Sequence, residues 1–68
     1  MKDLKYVSNE EIARLIDAYI HSERDRALMK RKLCDNIRFE PLSEEFQLST
    51  TQVKRIYGKH KEVIEHFL

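Results

Sequence analysis

The sequence predicts an all-α fold, a small four-helix domain with a C-terminal helix-turn-helix, and three observations carry that prediction. The 68 residues are 41% hydrophobic and 37% charged with one Gly and one Pro, a helical composition rather than a β or disordered one. Apolar residues recur at spacings of three and four along most of the chain. The stretch FEPLSEEFQLSTTQVKRIY, residues 39–57, reads as two short helices joined by a tight turn.

The first helix is announced by Ser8 with Glu11 three residues on, the pattern of a capping box. Ile12, Leu15, Ile16, Tyr19 and Ile20 then fall on one face, so an amphipathic helix is expected from about Asn9 to His21, within an N-terminal segment 8–21. Ser22 is the expected cap of the second helix, because Glu23 and Asp25 occupy its first turn and Lys30, Arg31 and Lys32 its end, as the helix dipole prefers. Its inward stripe is Leu28, Met29, Leu33 and Ile37. No Pro or Gly separates the two helices, so a single bent rod with Ser22 facing solvent is the competing reading. The third helix starts near Glu40, with Pro41 tolerated in its first turn and Leu42 and Phe46 spaced i, i+4. Leu48 leaves that helix to be buried in the turn. Ser49 and Gln52 form a second capping box that starts the fourth helix at Thr50. Its inward stripe is Val53, Ile56, Tyr57, His60, Ile64 and Phe67, which leaves Thr50, Thr51, Lys54, Arg55 and Lys61 mostly outside. Tyr57 and His60 read as packed core. Gly58 is unusual inside a helix and marks either close packing or a bend.

Length and charge bound the function. One domain over 1–68 is expected, near the size where a single core is only marginally stabilising. Net charge is +1, from thirteen basic and twelve acidic residues, so any nucleic-acid affinity must come from local clustering. Residues 22–35 carry five basic and three acidic groups, and 49–68 carry four basic and two acidic. The lone Cys34 excludes an intramolecular disulfide and reads as a small buried hydrophobe in a reducing compartment, so a cytoplasmic location is expected. MKDLKYVSNEE lacks the hydrophobic segment of a secretion signal, and no apolar run approaches the length of a membrane span.

Residues 22–63, SERDRALMKRKLCDNIRFEPLSEEFQLSTTQVKRIYGKHKEV, resemble the fourth region of bacterial sigma-seventy-type factors and the small phage and mobile-element regulators that share it. The likeness lies in Glu23, Arg24 and Arg26 at a helix start, in Phe39 and Glu40 at the entry to the next helix, and most closely in Leu48-Ser49-Thr50-Thr51-Gln52-Val53-Lys54-Arg55. It implies a helix-turn-helix unit over 22–67 whose last helix enters the major groove, with Thr50, Thr51, Gln52, Lys54 and Arg55 as readers. Gln47 stands where that family usually has Gly, and must take the backbone the turn requires, with φ > 0 unfavourable for a residue bearing a Cβ. Ser43 replaces the usual Ala at the helix crossing, a small-for-small change. The core-promoter-binding domains of a complete sigma factor have no counterpart here, so initiating transcription unaided is not implied.

The residue types suit the chemistry of reading DNA. Gln52 can pair bidentately with adenine and Lys54 or Arg55 with guanine, while the Thr50 and Thr51 methyls can pack on thymine. Lys59, Lys61, Lys30 and Lys32 suit phosphates better than bases; for Lys30, Arg31 and Lys32 an ordinary solvated face is the stronger reading. The candidate DNA-binding set is Ser49, Thr50, Thr51, Gln52, Lys54, Arg55, Lys59 and Lys61. One Cys, and three His without zinc-site spacing, supply no metal centre, and the chain carries no phosphate loop, nucleophile elbow or paired catalytic carboxylates. Neither an enzyme nor a cofactor is expected, nor a small-molecule substrate. The expected function is sequence-specific binding of double-stranded DNA as a transcriptional regulator. The alternative is a protein-interaction module, such as an RNA polymerase or regulator-binding adaptor, that keeps the fold without reading DNA. One recognition helix makes few phosphate contacts, so a homodimer or RNA polymerase contact is expected to supplement it. Ile12, Ile16, Tyr19 and Ile20 of the first helix are the candidate interface, the competing reading being that this helix completes the core.

Overall fold

A computed structural model describes residues 6–68; the first five residues of the domain expected over 1–68 lie outside the described residues. Four helices follow in chain order, α1 (Asn9–Tyr19), α2 (Glu23–Leu33), α3 (Phe39–Phe46) and α4 (Thr50–His66), and no strand occurs among the described residues. α2 and α4 each pack on all three other helices, so α1 and α3 are both held against that pair.

Three of the four helices begin at a serine whose hydroxyl accepts a backbone N–H three residues on: Ser8 from Glu11, Ser22 from Asp25 and Ser49 from Gln52. The Ser22 cap settles the first connection as a break rather than a bent rod. α1 stops at Tyr19, two residues short of the expected His21, because Ile20 turns into an extended conformation that points its side chain into the core. Arg26 then binds the carbonyls this exit frees, its Nη1 donating to Ile20 O at 3.0 Å and His21 O at 3.4 Å. α2 ends at Leu33 with Asn36 left-handed at φ 60°, so Ile37 lies in the connection and packs half-buried instead of extending the α2 stripe. Asn is among the few residues that enter this region at low cost.

α3 begins at Phe39 after Arg38, which supplies no side-chain cap, and it ends at Gln47 with φ 55° and ψ 42°. The backbone this turn requires of Gln47 is therefore the left-handed one, the unfavourable option for a residue bearing a Cβ. Gln47 N–H donates to Glu44 O at 3.2 Å and Leu48 N–H to Ser43 O at 2.9 Å, the bond pair of a Schellman ending. Leu48 is folded back against the core, half-buried rather than buried. Ser43 is buried at the helix crossing, and its hydroxyl donates to Glu40 O at 2.7 Å, which is why a polar side chain is accepted there.

The core joins Ile12, Ile16 and Ile20 to Leu28, Met29, Leu42, Val53 and Ile64, all nearly or wholly inaccessible, with Val7 at its edge. α1 thus completes the core. Ile12, Ile16 and Ile20 cannot form the interface considered for them, since their side chains are spent inside the chain. Tyr19 alone of that set remains at the surface, 42% exposed, and stacks on Phe67 with ring centroids 3.9 Å apart. Phe67 follows α4 and is 48% exposed, so it does not continue the inward stripe of that helix. Cys34 is half-buried rather than buried, its thiol donating weakly to Asn9 O at 3.7 Å; burial first, and Asp35 second, push that thiol up. Among the described residues no helix is long and apolar enough to cross a membrane.

Candidate nucleic-acid interface

The turn Gln47-Leu48-Ser49 delivers the chain directly into α4. At its start the reciprocal box is closed: Gln52 N–H donates to Ser49 Oγ at 3.1 Å, and Ser49 N–H donates to Gln52 Oε1 at 2.9 Å. This has a chemical cost for one expected reader. Bidentate pairing with adenine needs the amide oxygen of Gln52 as acceptor and its NH₂ as donor, and that oxygen already caps the helix.

Helical spacing divides the eight expected residues into three groups. Thr51 and Arg55 lie on one fully exposed stripe that continues through Gly58 and Glu62. Thr50, Lys54 and Lys61 lie on the flank that faces α3. Gln52 and Lys59 lie on the opposite, exposed flank, with Ser49 held at the cap. The set therefore wraps the helix, and only Thr51 and Arg55 project straight outward.

The flank toward α3 forms a cationic and aromatic shoulder. Phe39 meets Tyr57 edge to face at 5.5 Å between ring centroids. Lys32 Nζ sits 4.5 Å from the Phe39 centroid and 5.9 Å from that of Tyr57, Lys54 Nζ 5.7 Å from Phe39, and Lys61 Nζ 5.6 Å from Tyr57. Ammonium groups over ring faces gain modestly while their heads stay wet. Beside this shoulder opens a cleft of about 520 Å³, lined by Arg38, Phe39, Glu40, Pro41, Thr50 and Lys54. Tyr57 is thus half-buried as one wall of a basic surface as well as a packing residue.

The three cations at the end of α2 prove unequal. Lys30 pairs with Asp17 at 2.8 Å, and Arg31 grips Glu45 through Nε and Nη2 at 2.9–3.1 Å while its Nη1 reaches Asp35 at 3.0 Å. Neither is an idle solvated charge. Lys32, by contrast, forms no carboxylate pair among the described residues, and neither do Lys54, Arg55, Lys59 or Lys61. No protein-family model matches this chain, and neither a curated protein nor a solved structure is significantly similar to it.

Behind the surface, α4 is tied to α2 by a polar clasp. His60 Nε2 lies 2.8 Å from Asp25 Oδ2, with side chains only 12% and 13% exposed, and Arg24 closes on Asp25 Oδ1 at 3.0 Å. His60 is accordingly a hydrogen-bonding partner and not simply packed core. Burial is the largest influence on the Asp25 carboxyl and pushes it up, but the hydrogen bonds from His60 and Arg24 and the Arg24 charge together hold it below the usual carboxylate value. Among the described residues no group of three or more His, Cys, Asp or Glu is placed to hold a metal ion.

Proposed function

We propose that this chain binds double-stranded DNA sequence-specifically, as a regulator built on a helix-turn-helix formed by α3 and α4. The observation that carries this reading is the opening half of α4: Thr51 and Arg55 project from a rigidly capped helix start, and the cations around them are left unpaired by carboxylates among the described residues. A net charge of +1 argues against indiscriminate binding to polyanions, so this local concentration is what a nucleic acid would meet. Thr51 and Arg55 are the base readers, Arg55 suited to guanine through its fork of donors. Lys54, Lys59, Lys61 and Lys32 serve the phosphates, and Ser49 and Gln52 serve chiefly by holding the helix start.

The test is a selection of bound duplexes from a random-sequence pool at near-physiological salt, followed by binding of the Arg55→Ala and Thr51→Ala variants. Arg55→Ala should cost about 1–3 kcal/mol against the selected duplex and relax preference at one base pair. Gln52→Ala is a poor probe because it also opens the capping box. Absence of any recovered motif, or undiminished binding by both variants, would overturn the reading. A protein-interaction role is the second reading, and the exposed Tyr19–Phe67 stack favours it. It predicts that Tyr19→Asp releases a partner or a second copy while the duplex-binding surface is untouched.

A further inference from the structure

Gly58 lies within α4, where glycine weakens a helix relative to alanine. Nothing inside the protein asks for it. A Cβ built at this position would have no atom within 4 Å, and its backbone is not left-handed. The helix runs unbroken from Thr50 to His66, so Gly58 marks neither internal close packing nor an interruption. The missing side chain instead faces outward on the stripe that carries Thr51 and Arg55.

Its distance along the helix is informative. Seven residues separate Thr51 from Gly58, about 10 Å at the α-helical rise, which puts Gly58 two turns beyond the N-terminal residues that a recognition helix lays on base edges. A helix that lays its first turns on base edges therefore reaches the strand bordering the groove about where Gly58 sits. The cations fit the same picture. Lys54 lies one turn before Gly58, Lys59 beside it and Lys61 three residues beyond, none paired with a carboxylate among the described residues.

We infer that Gly58 is the point of closest approach between α4 and the sugar-phosphate strand flanking the major groove, its lack of a side chain letting that strand rest against the helix backbone while Lys54, Lys59 and Lys61 meet the phosphates. This rests on the DNA-binding reading. It differs from base reading in that the contact is with backbone, and so is indifferent to sequence.

Gly58→Ala and Gly58→Leu in the full chain test it, with thermal melting and with binding to both the selected duplex and an unselected pool duplex. Gly58→Ala should melt higher than the wild type yet bind both duplexes more weakly, and Gly58→Leu should lose about tenfold or more on both, the scale of one good contact. Opposite movement of stability and affinity is the signature, since a merely structural role would move them together. If Gly58→Leu fails to fold, the stabilised Gly58→Ala variant carries the comparison alone. Wild-type affinity in a folded Gly58→Leu variant, or lower melting of Gly58→Ala, would overturn the inference while leaving a recovered motif, and with it the DNA reading, intact. A wild-type chain that binds neither duplex would overturn both.

Discussion

Asp25 and His60 stand 35 residues apart in the chain and 2.8 Å apart in space. Their bond is the main polar tie between α2 and α4, and its pH dependence has a definite sign. The folded Asp25 carboxyl is held below its ordinary value of 3.8, so the unfolded chain binds that proton more readily. The stabilisation is therefore fully present above that value and is lost as pH falls through the lower folded one. Melting followed from neutral pH down to about pH 2 should show the wild type losing more stability below pH 4 than Asp25→Asn does; parallel curves for the two would refute the role given to Asp25. His60→Ala, which strands a mostly buried carboxylate oxygen, should cost about 1–3 kcal/mol at neutral pH. Nothing in the sequence pointed to this pair. Periodicity placed His60 on the inward stripe correctly, but it cannot say that the residue across the interface is an acid rather than an aliphatic.

At the scale of elements, what was legible is what is local. The starts at Ser8, Ser22 and Ser49 were readable because a cap and its target lie three residues apart, whereas the left-handed backbone at Gln47 carries no such signal in the side chain that adopts it. The ends were less readable. α1 stops early through the isoleucine that turns inward and the arginine that binds the freed carbonyls, and α3 begins without a side-chain cap. In the candidate site, helical spacing found the outward Thr51 and Arg55 and the flanking lysines. It missed the shoulder on Phe39, which needs the end of α2 brought against α3 and α4. It also treated Gln52 as free when the cap it signals consumes the oxygen a base would need. The turn offers a sharp check: Gln47→Gly relieves a left-handed residue bearing a Cβ and should stabilise the fold by about 0.5–1 kcal/mol, after allowance for glycine's freedom in the unfolded chain. Equal or lower stability by denaturant titration would mean that the Gln47 side chain makes up the difference elsewhere.

The whole molecule is small enough that its core and its surface have few residues to share. Ile16 is fully inaccessible, and a domain of this length holds about 3–5 kcal/mol in total, so Ile16→Asp should abolish the cooperative fold by circular dichroism. Tyr19→Asp should leave the fold standing. A folded Ile16→Asp variant that merely lost self-association would reverse the placement of α1 in the core. The described residues span 31 × 22 × 17 Å, close to the roughly 34 Å that one turn of B-DNA occupies. Under the proposed DNA-binding reading, one copy would cover one half-site and a palindromic target would require two.

Under the proposed DNA-binding reading, the junction of α3 and α4 bears on how fast and how tightly a duplex would be engaged. With the Glu44 and Ser43 carbonyls, the Ser49 hydroxyl and the Gln52 amide oxygen all taken up within the turn, the two helices are fixed before any encounter. Little ordering entropy would then remain to be lost on association, so free and bound forms should superpose closely and the arrival rate should be set by diffusion and charge rather than by folding on contact.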